Sequence, residues 1–77
     1  MVSLNTLRTG DTGSVVRITE GEPAYRAKLL SMGITPGTKF SIVRYAPLGD
    51  PIELEVRGYR LSLRKHESEI VMVEVDR

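Results

Sequence analysis

A chain of 77 residues, 40% hydrophobic and 27% charged, is sized and composed for one small soluble domain, and its formal net charge of +1 points to no strongly acidic or basic partner. It contains no cysteine, which excludes disulfide staples, thiolate metal sites and thiol catalysis. The longest apolar run, Ile70-Val71-Met72-Val73, is far too short to span a bilayer, and no basic region followed by an apolar stretch marks a signal peptide. A cytoplasmic protein is expected, with a single domain over residues 1–77 and no linker, repeat or low-complexity tract.

Leu4, Leu7, Gly10 and Gly13 recur at every third residue. That spacing suits a short 3₁₀ turn packing two leucines ahead of a glycine-rich bend. Residues 14–18 are rich in β-branched side chains and predict a first strand, which Glu20-Gly21-Glu22 then breaks. Pro23 suits the first turn of a helix, where its missing N–H has no intrahelical partner to lose. Glu20 and Glu22 fall near the positive end of that helix dipole and Arg26 and Lys28 later, the favourable order. Tyr25, Leu29 and Met32 form a narrow apolar stripe at i, i+4, i+7, with Leu30 expected to widen it. Gly33 suits the left-handed residue that stops a helix, with Ile34 folding back onto it. Pro36-Gly37 predicts a type II turn, proline presetting the first central residue and glycine taking the positive φ of the second.

From Lys39 the period changes to two. Phe40 and Ile42 share one face of a strand ending near Ala46, and Ala46-Pro47-Leu48-Gly49-Asp50-Pro51 makes a stiff turn. Ile52, Leu54 and Val56 alternate with Glu53, Glu55 and Arg57, and the return strand sets Tyr59, Leu61 and Leu63 against Arg60, Ser62 and Arg64. Two hairpin registers keep apolar against apolar. A turn at Arg57-Gly58 places Glu55 opposite Arg60; one at Gly58-Tyr59 places Arg57 opposite Arg60. Like charges directly opposed are unfavourable, so the first register is expected. Lys65-His66-Glu67-Ser68 reads as a polar turn and residues 69–75 as a last strand apolar on both faces, sandwiched or closing a barrel. Five short strands with one inserted helix predict a mostly β protein, a small SH3-like barrel, with an oligonucleotide-binding-type barrel as the nearest alternative.

The runs Leu29-Leu30-Ser31-Met32-Gly33-Ile34-Thr35-Pro36-Gly37, Ala46-Pro47-Leu48-Gly49-Asp50-Pro51 and Gly58-Tyr59-Arg60-Leu61-Ser62-Leu63-Arg64 resemble, in this order and spacing, the FeoA family of bacterial ferrous iron uptake. The resemblance extends from about Leu4 to Val75. It implies an SH3-like fold, a cytoplasmic accessory role, and partnership with the FeoB permease, a membrane protein carrying a GTP-binding domain.

The residues themselves offer little reactive chemistry. His66 is the sole histidine, beside Glu67 and Glu69. A transition-metal site needs three or four converging ligands, so this segment reads as solvated, with a poorly coordinated, partly hydrated divalent-metal or Fe2+ site as the alternative. No serine sits in a nucleophile elbow, and the glycines make no phosphate-binding fingerprint. Neither an enzyme nor a resident cofactor is expected. Arg57, Arg60, Arg64 and Lys65 cluster in sequence, but Glu53, Glu55, Glu67 and Glu69 interleave with them. A mixed-charge face is expected there, with nucleic-acid binding the alternative. Leu48 differs: prolines on both flanks hold it outward at low ordering cost, which suits protein docking. The expected partner-binding residues are Arg26, Lys28, Leu48, Gly49 and Asp50. The expected function is a protein-interaction module on the permease; a metal-sensing domain is the rival.

Overall fold

The period-two segments become strands of one antiparallel sheet. The computed structural model describes residues 1–19 and 23–76. Six strands run β1 (Val2–Ser3), β2 (Thr12–Ile18), β3 (Lys39–Tyr45), β4 (Ile52–Val56), β5 (Tyr59–Leu63) and β6 (Val71–Val75), paired in the order β1-β6-β2-β3-β4-β5. Helix α1 (Pro23–Ser31) lies between β2 and β3, α2 (Lys65–Glu69) between β5 and β6, and a 3₁₀ turn (Leu4–Thr6) follows β1. Register shifts in β2 between Val15 and Arg17 and in β3 between Ile42 and Arg44 add local twist. The sheet thereby curls around one core, which takes Leu4, Val15, Leu29, Ile34, Phe40, Leu54, Leu63 and Val73 from seven different elements and a connecting loop.

Most expected local features are present. The β4–β5 hairpin has Glu55 opposite Arg60 and Val56 opposite Tyr59. Its turn places Arg57 at φ 51° and Gly58 at φ 85°, both left-handed, as a two-residue turn matched to strand twist requires. Gly33, at φ 93°, ends α1: its N–H donates to the Leu30 carbonyl and the Ile34 N–H to the Leu29 carbonyl at 3.0 Å. This bond pair satisfies carbonyls the helix would otherwise leave open, and it brings Ile34 into the core. The Thr38 N–H donates to Thr35 O across Pro36-Gly37, with Gly37 at positive φ.

Four expectations need correction. A sixth strand, β1, pairs Val2 with Val73 and Ser3 with Met72; two residues are too few to carry a period. Gly13, read as part of a bend, lies inside β2. A Cβ there would stand 2.2 Å from the Glu74 carbonyl oxygen, so glycine permits close approach of two backbones. Leu30 does not widen the apolar stripe of α1. A nine-residue helix meets the core along one line, and Leu30, turned about 100° from buried Leu29, faces solvent. Residues 65–69 are helical rather than a polar turn, and Glu67 and Ser68 are buried. The strand expected from residue 69 accordingly begins at Val71. The readings at Glu20, Gly21 and Glu22 lie outside the described residues.

Candidate functional site

The turn joining β3 to β4 is closed on itself. Ala46 N–H donates to the Pro51 carbonyl at 3.0 Å and Gly49 N–H to the Ala46 carbonyl at 2.7 Å, with Gly49 at φ 83°. Closure by the backbone leaves the side chain at the tip with nothing to pack on, and Leu48 is 96% exposed. A leucine so placed keeps its full apolar surface in water, and covering it would release up to about 2 kcal/mol. Asp50, at the base of the turn, points inward. Its Oδ1 accepts the Lys65 N–H at 3.0 Å, and its Oδ2 lies 4.0 Å from Arg64 Nη1. Asp50 therefore ties the turn to the start of α2.

Arg26 and Lys28, on α1, are also engaged with the barrel. Arg26 Nη1 donates to the Ile18 carbonyl at 2.9 Å. Lys28 Nζ donates to Glu67 Oε2 at 2.7 Å, an ion pair in which the lysine side chain is 55% exposed and the glutamate 3%. Glu67 Oε1 accepts the Arg64 N–H at 2.8 Å, so the carboxylate also caps the start of α2. Burial alone would push the Glu67 carboxyl up. The bonds from Lys28 and from the Arg64 N–H, together with the charges of Lys28 and His66, outweigh it and hold the carboxyl below its ordinary value. The Tyr25 ring leans on His66, centroids 4.8 Å apart at 42°.

Two of the expected docking residues thus converge on one element. Lys28 holds α2 from the helix side and Asp50 from the turn side, while Leu48 and Gly49 project from the turn and Arg26 anchors elsewhere, on β2. The joint itself, α2, was missed. Its signal was Glu67 placed three residues after Arg64, the spacing of a capping box, but Arg64 lacks the side-chain acceptor that would complete the motif.

The same geometry bears on the rival chemistries. Glu67, adjacent to His66 in sequence, is committed to Lys28 and the Arg64 N–H. Among the described residues no group of three or more His, Cys, Asp or Glu side chains gathers where a metal ion could sit. Three of the four clustered cations have a polar or acidic neighbour: Arg57 Nη2 donates to Thr38 Oγ1 at 3.1 Å, Arg60 stands across from Glu55, and Arg64 leans toward Asp50. Two of the three tyrosines serve as struts, Tyr45 donating to the Leu7 carbonyl and Tyr59 to the Met32 carbonyl at 2.6 Å. Burial first, and the Asp11 charge second, raise the Tyr45 hydroxyl above its ordinary value and keep it a donor. No helix among the described residues is long and apolar enough to cross a membrane.

Comparison with known proteins agrees with this architecture. A Fe(2+) transport protein A/Fe(2+) transporter FeoB fusion protein from Porphyromonas gingivalis is 36% identical over 72 residues, which are 94% of this chain and 8% of that relative's length. The solution structure of a FeoA-like protein from Clostridium acetobutylicum superposes with a TM-score of 0.88 at 43% identity, over 96% of this chain and 85% of the other. A zinc complex of Stenotrophomonas maltophilia FeoA, described as an SH3 domain protein, has a TM-score of 0.85 over 100% and 98% of the two chains; at 23% identity it supports the SH3-like fold alone. The FeoA domain family matches residues 2–75, all but the first residue and the last two. On a match that spans the barrel, the inserted helix and the proline-bounded turn, the chain belongs to the FeoA family.

Proposed function

We propose that this protein is a cytoplasmic accessory component of ferrous iron uptake that binds a cytoplasmic face of the FeoB permease, with no catalytic step and no resident cofactor of its own. The observation that carries the reading is the fusion in Porphyromonas gingivalis, where a homologous module and a FeoB transporter share one polypeptide. Two activities joined in one chain work at high effective concentration, which supports association of the same modules when they are separate.

Within this reading Leu48 and Gly49 make the contact. A single apolar side chain on a closed, proline-flanked turn loses little conformational freedom when it enters a pocket, so most of its burial energy goes into affinity. Asp50, Arg26 and Lys28 hold the turn, α1 and α2 in fixed relation. Binding one conformation of the permease more tightly than another shifts its equilibrium by the ratio of the two affinities. The test is titration of purified permease with this protein, with and without guanine nucleotide. Saturable binding whose affinity depends on nucleotide is expected, and no binding in any nucleotide state would overturn the proposal.

A further inference from the structure

The two ends of the sheet are unlike. β1 is two residues long, whereas β5 runs for five and, among the described residues, has no strand on its outer side. Because the turn at Arg57–Gly58 has two residues, Val56 and Tyr59 form a hydrogen-bonded pair, and bonded pairs then alternate to Leu54 with Leu61 and Ile52 with Leu63. Arg60 and Ser62, both exposed, consequently turn their N–H and C=O groups away from β4. Among the described residues no backbone group outside the ladder meets them. The edge is bounded by the turn at one end and by α2 at the other, where Arg64 N–H is already bonded to Glu67.

Its charge is one-sided. Residues 56–66 contain four cations, Arg57, Arg60, Arg64 and Lys65, and no carboxylate. Arg57 is bonded to neutral threonine hydroxyls, the Arg64 guanidinium lies 4.0 Å from Asp50, and Glu67, which accepts the Arg64 N–H, is paired with Lys28. Two acidic side chains of β4 stand beside the edge, Glu55 opposite Arg60 and Glu53 opposite Ser62, and Glu53 is paired with Arg44 at 2.9 Å. A second copy pairing β5 to β5 would bring two such cationic sets along one seam, which like-charge repulsion opposes. An acidic strand meets both the open backbone and the charge.

We propose that β5 is a strand-addition site that accepts an extended, acidic segment of a partner protein, its backbone bonding to Arg60 and Ser62 and its carboxylates facing the cations of residues 57–65. This surface shares no residue with the Leu48 turn and does not depend on the permease reading. The test uses the whole protein and a short fluorescent peptide alternating valine and glutamate. Beside it stand an alternating valine–lysine peptide and two forms of the acidic peptide N-methylated on every second amide, one in each phase. Expected are saturable binding of the acidic peptide at low salt, none of the lysine peptide, and slowed amide exchange at Arg60 and Ser62 on binding. One methylated phase should lose at least about tenfold in affinity, because it retains every charge but loses the bonds to β5. Three results would each overturn the proposal: no acidic-peptide binding, equal binding of both methylated phases, or exchange slowed by protein concentration alone, which would make a second copy the occupant.

Discussion

Glu67 shows how one side chain decides several things at once. A buried carboxylate is costly unless paired and hydrogen-bonded, and here one pairing joins α1 to α2 while the second bond caps α2. Replacing Lys28 by methionine should destabilise more than an exposed lysine ordinarily does, since it strands the carboxylate; about 1–3 kcal/mol is expected from urea unfolding. The pH dependence follows from the lowered folded value. Glu67 contributes fully above the ordinary glutamate value of 4.5, and its contribution is lost as pH falls through the lower folded value. Glu67→Gln should therefore flatten the loss of stability below that pH. Equal slopes for the variant and the parent would show that the pair does not couple folding to protonation.

Gly33 offers a second measurement on this scale. Its φ of 93° strains any other residue, and a Cβ would also stand 2.6 Å from the Tyr59 hydroxyl. Gly58, at φ 85°, has open space around the same position. Gly58→Ala should cost about 1–2 kcal/mol from backbone strain alone, and Gly33→Ala more. Adding Tyr59→Phe to Gly33→Ala removes the clashing oxygen, so the double variant should regain the excess. Strict additivity of the two changes would rule out this contact as the cause.

Among the elements, α1 depends heavily on its neighbours. Nine residues are too few to be stable alone, so tertiary contacts must hold it. Those contacts include one buried leucine, the Arg26 bond to Ile18, the Lys28–Glu67 pair and the Tyr25 ring against His66. Leu29→Ala should accordingly lower unfolding stability by about 2–4 kcal/mol, whereas Leu30→Ala on the next position should change it by less than about 0.5 kcal/mol. Similar costs at the two positions would mean that the helix face is assigned wrongly. The β4–β5 hairpin is the opposite case. Its register was legible in the residues because alternation, the Arg57-Gly58 turn and the Glu55–Arg60 pair agree on one answer. α2 was not legible, because five polar residues carry no apolar period and its burial depends on Lys28 arriving from 39 positions away.

On the scale of the molecule, the proposed docking residue lies apart from those that hold the fold. Leu48 touches none of the core, so Leu48→Asp should leave unfolding stability within about 0.5 kcal/mol of the parent while weakening permease binding by at least about tenfold. A variant that binds as tightly as the parent would remove the turn from the interface. The expected set Arg26, Lys28, Leu48, Gly49 and Asp50 contains residues of two kinds that sequence treats alike, since all are polar or lie in a turn. Only coordinates separate the leucine facing water from the charges spent on bonds to Ile18, Glu67 and Lys65.

What the chain by itself determined is whatever depends on neighbours a few positions apart: the 3₁₀ turn, the helix and its glycine stop, the Pro36-Gly37 turn, the strand alternation and the hairpin register. These follow from backbone sterics and from which face each side chain takes, and both are local. The tertiary structure alone decided that Val2–Ser3 extends the sheet, that Gly13 lies under a neighbouring carbonyl, that residues 65–69 coil around a buried carboxylate, and that β5 keeps an open edge. Each depends on which segments meet across a large sequence separation, and a charge or glycine carries no mark of the partner that folding will bring to it.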